Sequence, residues 1–266
     1  MKKTFKSVIA LVLVLIMAVA MVACAPKDDG ADKIVFGTSA DYPPFEFLYL
    51  DDSGDKQYAG IDVSLAKKIA EDMDKELEVV NMSFDNLVTA LGKGEMDFVI
   101  AAMEETPERA EAADFSDPYY TDLPAMILVK KENADQYKTI EDFAGKSVGA
   151  QSGTTKADIV TNDMAGANLV GLTSVTDLIN ELAYDKCDAI VLDGAVAVEY
   201  ADSNDAFVIS DVALGEALPF RVFVEKGDPK GILDSINESI ADAIDSGKID
   251  EWIVEADELS AQALEG

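Results

Sequence analysis

Arg109 stands at a polar corner that follows an apolar run, in residues 98–120, FVIAAMEETPERAEAADFSDPYY. The chain carries 21 Lys and Arg against 52 Asp and Glu, so cations are scarce and each one has many carboxylates to choose from. A guanidinium just beyond a strand end can take an anion through a fork of two parallel N–H donors. Asp193 closes the apolar run DAIVLD (188–193) and can accept an ammonium. Thr154 and Thr155, in the loop QSGTT (151–155), add hydroxyls and nearby backbone N–H groups for the remaining lone pairs of a carboxylate. Together these groups complement a small zwitterion. Plainer roles stay open: Arg109 could cap its own helix or pair with Glu105 or Asp117, and Asp193 could cap the segment after Gly194. Thr154 and Thr155 could simply start a helix.

Composition removes several other chemistries. There is no histidine, which excludes Ser-His nucleophiles and His-Cys zinc sites. Cys187 therefore lacks an imidazole base and reads as a small buried hydrophobe. The formal charge of −31 argues against nucleic acid as a partner, because phosphates need a basic surface. It argues equally against adsorption to anionic lipid. Neither Asp51-Asp52 nor Glu71-Asp72 has calcium-loop spacing, so they read as solvated acids. No metal and no cofactor is expected.

Lys2, Lys3 and Lys6 precede an uncharged apolar segment (8–23), directly followed by Cys24. That order is a signal peptide over 1–23, with an apolar stretch short of the ~20 residues a bilayer span needs. Val22-Ala23-Cys24 resembles a bacterial lipobox, with Met21 where Leu is usual, so Cys24 is the expected lipidation site. A plain secretory signal is the alternative. Residues 24–32 read as a polar tether.

The elements that must hold these groups alternate. KIVFGT (33–38) is a first buried strand, followed by a stiff loop in which Pro43-Pro44 presents Tyr42. Residues 61–73 space Ile61, Leu65, Ile69 and Met73 on one helix face. Strands are expected at 76–81, 96–101, 146–150, 168–170 and 187–192, and helices at 84–91, 156–164 and 174–182. Leu87–Leu91 leads to Asp97 and an apolar strand just as Leu178-Ile179-Asn180-Glu181-Leu182 leads to Asp188 and another. The alternation implies parallel sheets in two similarly built α/β lobes. LPAMILV (123–129) and PFRVFV (219–224) are the expected crossings. The lobes are thus 33–122 with 220–266, and 123–219. Helical spacing recurs over 229–244, a last turn or two carries Trp252 as a core anchor, and residues 255–266 are expected to dock weakly or fray.

GTSADYPPFEF (37–47), DFVIAAMEETPERAEAADFSDPYY (97–120), VGAQSGTTKAD (148–158) and DAIVLD (188–193) occur in the order and spacing of the extracellular solute-binding proteins of family 3. The chain resembles that family over residues 33–253. The resemblance implies a two-lobed periplasmic-binding-protein-like fold with two hinge crossings. It implies a monomer that binds a polar amino acid outside the cytoplasm and delivers it to an ABC permease and its ATPase, anchored to the membrane only by lipid. Arg109 would hold the ligand carboxylate and Asp193 the ammonium. Tyr42 and Phe84 would sandwich the ligand side chain. Backbone at Ala101 and Ala102, and the loop with Gln151, Thr154 and Thr155, would supply the remaining hydrogen bonds. Ser39 stands where the family often has Asp, which weakens a lysine or arginine assignment. Glu104 stands where Ser or Thr is common and could bind a cationic side chain or repel an acidic one. A polar or cationic amino acid ranks first, with glutamate and aspartate disfavoured. The rival readings are a dehydratase-like enzyme on the same fold, for which Glu104 is the conspicuous acid-base candidate, and a sensory ectodomain.

Overall fold

The computed structural model describes residues 33–263; the signal peptide, Cys24 and the tether expected over 1–32 lie outside the described residues. The first strand, β1 (Lys33–Thr38), runs into a small hairpin sheet of β2 (Asp41–Tyr42), β3 (Glu46–Leu50) and β4 (Lys56–Ala59). There follow α1 (Ile61–Asp72), β5 (Glu76–Asn81), α2 (Leu87–Leu91), β6 (Phe98–Val99), α3 (Pro107–Ala112) and β7 (Ala113–Thr121). The chain then enters β8 (Met126–Lys130), β9 (Ser147–Gln151), α4 (Thr155–Asn162), β10 (Asn168–Leu172), α5 (Val175–Ala183), β11 (Ala189–Leu192), α6 (Gly194–Ser203) and β12 (Phe207–Ile209). It returns through β13 (Pro219–Glu225) to α7 (Leu233–Asp245) and α8 (Lys248–Ala263).

Two five-stranded sheets result, ordered β5-β1-β6-β13-β7 and β10-β9-β11-β8-β12. They are the cores of the two α/β lobes. The strands linked by helices are parallel, β1 with β6 and β9 with β10 and β11. The sheets are nevertheless mixed, not purely parallel: β13 lies antiparallel to β6 and β7, and β8 antiparallel to β11 and β12. A strand entering from the other lobe has no crossover helix behind it, so nothing obliges it to run parallel. The crossings themselves precede the two apolar runs: β8 and β13 are already strands of the receiving sheet, and the chain passes over at 122–125 and 210–218.

The repeat seen in the sequence has a structural purpose. The Asp97 carboxylate accepts the backbone N–H of Val35 in β1 at 2.5 Å, and the Asp188 carboxylate that of Ser147 in β9 at 2.9 Å. In each lobe an aspartate thus ties the strand that follows it to that strand's parallel neighbour. Phe45, Tyr120 and Phe220 pack edge to face, with centroids 5.1 and 5.5 Å from Phe45, and lock the hairpin sheet onto β7 and β13. The tail is longer than its sequence suggests. Helix α8 spans 16 residues with Ala256 and Ser260 buried, and Ser260 donates to Glu199 at 2.7 Å, so residues 255–260 dock firmly.

One buried acid pair positions backbone for the region between the lobes. Asp62, in the first turn of α1, is fully buried and accepts the Tyr119 hydroxyl and the Ala102 N–H, each at 2.7 Å. Ala102 has φ 45°, a left-handed conformation that costs a non-glycine residue about 1 kcal/mol or more, and the bond to Asp62 offsets that strain. Glu46 lies against Asp62 with its Oε2 unpartnered. Burial, then the Asp62 charge, drives the Glu46 carboxyl well above the usual range, and burial pushes Asp62 up to about 6. Up to about pH 6 both carboxyls hold protons in the folded chain that the unfolded chain has released; above it Asp62 is ionised and Glu46 alone keeps its proton. Their stabilising effect is therefore complete below about pH 4 and fades as pH rises from there through the folded values. Glu46→Gln keeps a hydrogen-bonding group without the titration. Its melting profile should gain on the native chain by about 1–3 kcal/mol between pH 5.5 and 7.5; parallel profiles would refute a protonated Glu46.

Candidate functional site

Arg109 lies in α3, whose start is fixed by Thr106 as cap and Pro107 at the first helical position. The Thr106 hydroxyl accepts the Arg109 N–H at 3.2 Å. This short helix turns the guanidinium back over Phe84, 5.2 Å from the ring centroid. From there Arg109 donates to the carbonyls of Glu104 at 2.6 Å and Gly153 at 2.9 Å. Gly153, at φ 79°, belongs to the turn that leads from β9 into α4, so this bond spans the two lobes. A cavity of about 270 Å³ opens beside the guanidinium, walled by Phe84, Met103, Thr106, Gly153 and Thr155.

Asp193 ends β11 and sits before α6, on the other lobe. Its side chain makes no capping bond to that helix. The carboxylate instead accepts the Tyr42 hydroxyl at 2.7 Å, and the Asp193 N–H returns a bond to that hydroxyl at 3.0 Å. Burial and the adjacent Asp193 charge raise the phenol well above its ordinary range, so it remains a donor. Gly194 is required here: a Cβ would lie 2.4 Å from that of Leu123 and 2.7 Å from the Pro124 carbonyl. The first crossing thus packs directly on the start of α6, where the Asp122 carboxylate accepts the Ala195 N–H at 3.2 Å.

Lys156 joins the two halves. Its ammonium lies 2.5 Å from Glu104 Oε1 and 2.7 and 2.6 Å from the two oxygens of Asp193. Glu104 Oε1 also accepts the Thr155 hydroxyl at 2.9 Å, while Oε2 faces the Arg109 guanidinium at 3.5 Å without a hydrogen bond. All four charged residues are at most 9 % exposed. Burial pushes each toward its neutral form, and for Lys156 and Glu104 the mutual charges outweigh it. Burial pulls the Lys156 amine down, but Asp193 and Glu104 more than restore it and leave it above its ordinary value. Burial lifts Glu104, yet Lys156 and then Arg109 hold it below the usual carboxylate range. Asp193 stays raised, by burial and by Glu104, against the pull of Lys156 and Tyr42. Arg109 is lowered, chiefly by burial.

The network therefore gathers Tyr42, Glu104, Arg109, Thr155 and Asp193, with Phe84 beneath the guanidinium. Ser39 lies in a separate recess with Asp41 and Ser174. Thr154 caps α4, accepting the Ala157 N–H and donating to the Gln151 carbonyl at 2.6 Å, and Gln151 donates to the Thr173 carbonyl at 3.1 Å. Ala101 and Ala102 are buried in the loop after β6, where the Ala102 N–H is already given to Asp62. The structural acid beside Arg109 is Glu104, since Glu105 pairs with Arg221 at 3.3 Å. Lys156 escaped the sequence reading. Its one signal was a cation in the first turn of a helix, where the macrodipole disfavours positive charge, which calls for a carboxylate partner elsewhere. Asp62 and Glu46 left no such sign. Among the described residues no cluster suited to a metal ion occurs, and no helix is long and apolar enough to cross a membrane.

Residues 34–255 match the family described as bacterial extracellular solute-binding proteins, family 3. The arginine-binding extracellular protein ArtP of Bacillus subtilis (strain 168) is 35 % identical over 243 residues, covering 87 % of this chain and 90 % of that one. A probable histidine-binding protein of Campylobacter jejuni is 30 % identical, covering 82 % of each chain. Among solved structures, the amino acid ABC transporter substrate-binding protein AbpA of Streptococcus pneumoniae, bound to L-arginine, superposes with TM-score 0.82. It shares 31 % identity and covers 88 % of this chain and 97 % of that one.

Tyr42 bridges the lobes with a hydroxyl used as both donor and acceptor, so its removal leaves a buried N–H and a weakened carboxylate. Tyr42→Phe should cost about 1–3 kcal/mol, lowering the melting temperature by roughly 3–8 °C. An unchanged melting point would mean that the bridge carries no free energy.

Proposed function

The chain belongs to the bacterial extracellular solute-binding proteins of family 3, and from that premise we propose that it captures a polar L-amino acid outside the cytoplasm and hands it to an ABC permease driven by its ATPase. The observation that carries this reading is the meeting of a guanidinium and a carboxylate from opposite lobes in one buried network. Arg109, with the Thr155 hydroxyl, receives the α-carboxylate. Asp193 receives the α-ammonium. Tyr42 and Phe84 flank the side chain, and Gln151, Thr154 and the backbone of Ala101 and Ala102 complete the surroundings, while Ser39 stays in its separate recess. Arginine, bound in AbpA and named for ArtP, is the first candidate, and histidine the next. Glutamate and aspartate are disfavoured by the acidity of Glu104 and Asp193.

The lobes comprise 33–122 with 220–266, and 123–219, hinged at the two crossings. The protein acts as a monomer anchored through a lipid on Cys24 after removal of 1–23; the basic start, apolar run and Val22-Ala23-Cys24 support this. Binding is favoured over catalysis because Glu104, the one conspicuous acid-base candidate, is held ionised by Lys156 and Arg109 against the effect of burial. It is paired and not poised to move a proton.

A thermal-shift screen of the twenty amino acids tests the reading, since a ligand selective for the native state raises its melting temperature. Arg109→Ala should weaken the best ligand by about 100-fold or more, as loss of one member of a buried charge pair does. Equal affinity in the variant by calorimetry would remove Arg109 from the site.

A further inference from the structure

Glu104 and Lys156 occupy the two groups of receptors assigned above to the ends of an amino acid. The Glu104 carboxylate takes the Thr155 hydroxyl at 2.9 Å and lies 3.5 Å from the Arg109 guanidinium, the pair proposed to hold a ligand carboxylate. The Lys156 ammonium lies 2.7 and 2.6 Å from the two oxygens of Asp193, the proposed ammonium receptor. The two heads touch, at 2.5 Å, as the charged ends of a free amino acid do. The remaining places on Asp193 are few, because Tyr42 already bonds one oxygen. The cavity beside Arg109 has Thr155 in its wall, whereas Tyr42 and Asp193 lie outside its walls. Glu104 Oε2 is buried and without a hydrogen-bond partner, although it faces the guanidinium.

We propose that Glu104 and Lys156 form a tethered mimic of a zwitterionic amino acid, and that ligand enters the cleft by exchanging with it. This rests on the assignment of Arg109 and Asp193 as end-group receptors. In the exchange the ligand carboxylate replaces Glu104 at Arg109 and Thr155, and the ligand ammonium replaces Lys156 at Asp193. Lys156 then swings its ammonium to solvent on a four-carbon stem. Glu104 is left with a buried charge that a cationic ligand side chain can neutralise and a neutral one cannot. The pair therefore lowers affinity for every amino acid and lowers it most for those with uncharged side chains. It is a specificity determinant that favours arginine over glutamine without any contact unique to arginine's end groups.

Glutamine isolates the exchange, since only its end groups are charged. The paired substitution Glu104→Gln with Lys156→Met removes both mimic charges together and leaves the net charge unchanged, while Arg109 keeps the Glu104 and Gly153 carbonyls and Asp193 keeps the Tyr42 hydroxyl. Calorimetry should show glutamine binding at least about 10-fold tighter than in the native chain, and a narrower preference for arginine. Unchanged or weaker glutamine binding in a variant that melts near the native temperature would overturn the mimic while leaving the receptor intact. If neither protein responds to any of the twenty amino acids, the receptor reading itself falls, and the mimic with it. Should the paired variant not fold, acetylation of Lys156 in the native chain by an amine-reactive ester supplies the answer. Saturating arginine should raise labelling at Lys156 several-fold as its ammonium leaves Asp193; labelling unaltered by arginine that demonstrably binds would overturn the exchange.

Discussion

Charge removed from water must be paired, and Arg109, Glu104, Lys156 and Asp193 meet that demand only as a set. Taken singly, each would shift toward its neutral form or draw solvent into the cleft. Together they alternate in sign, positive against negative from one lobe to the other, and the Tyr42 and Thr155 hydroxyls each bond one carboxylate further. The ring is expensive to break at one point, because removal of one member strands another. That interdependence makes the closed arrangement of the two lobes a single electrostatic state.

The rest of the molecule sets where those four charges stand. The crossing strand β13 pairs Phe220 with Glu104 by an isolated bridge, and Arg221 N–H donates to the Met103 carbonyl at 3.0 Å. The backbone carrying Glu104 is therefore fixed by a crossing. On the other side, the first crossing packs on Gly194 and fixes Asp193. Glu104 thus hangs on the strand that follows the second crossing, and Asp193 on the first crossing itself. Asp41 adds a further tie, its carboxylate accepting the Val175 N–H at 2.8 Å at the start of α5. Opening exposes these polar groups as well as the ring, so the closed form rests on a concerted set of bonds and not on apolar contact alone.

Much of this was legible in the chain because it follows local rules. The four-residue spacing of Ile61, Leu65 and Ile69 defines α1, and Ser174 caps α5, accepting the Asp177 N–H. The two apolar runs expected to be crossings are instead strands of the receiving sheets, β8 and β13, and their antiparallel direction was not legible, since it depends on the other lobe's position. β6 came out as Phe98–Val99, shorter than the run 96–101, because the backbone must leave the sheet early to reach Ala102 and Glu104. The helical tail was underestimated: Ala-rich acidic sequence reads as frayed, whereas Ala256 and Ser260 are buried. Long-range pairs were the least visible. Lys156 and Glu104 are separated by 52 residues, and Asp62 and Ala102 by 40. No periodicity connects residues so far apart, and only the improbability of an unpaired buried charge could have hinted at them.

The aspartates show how residue type alone misleads. Asp97, Asp188 and Asp193 all flank apolar strands, and the first two were the more conspicuous as members of a repeat. Asp97 and Asp188 stand before their strands, where a carboxylate meets backbone N–H groups of the neighbouring strand and serves the fold. Asp193 stands at the strand's carboxyl end, where open α/β sheets present groups to ligands, and its side chain turns away from its own helix toward Tyr42 and Lys156. The position along the strand, and not the chemistry of the side chain, separates scaffold from site. The same consideration governs closure: a ligand can shift the balance between open and closed lobes only by its preference for one of them. Where Lys156 and Glu104 already satisfy Asp193 and Arg109, that preference is the difference between the ligand's contacts and those it displaces. Under the proposed exchange, the network sets the depth of the closed state before any amino acid arrives, and a ligand acts by improving on it.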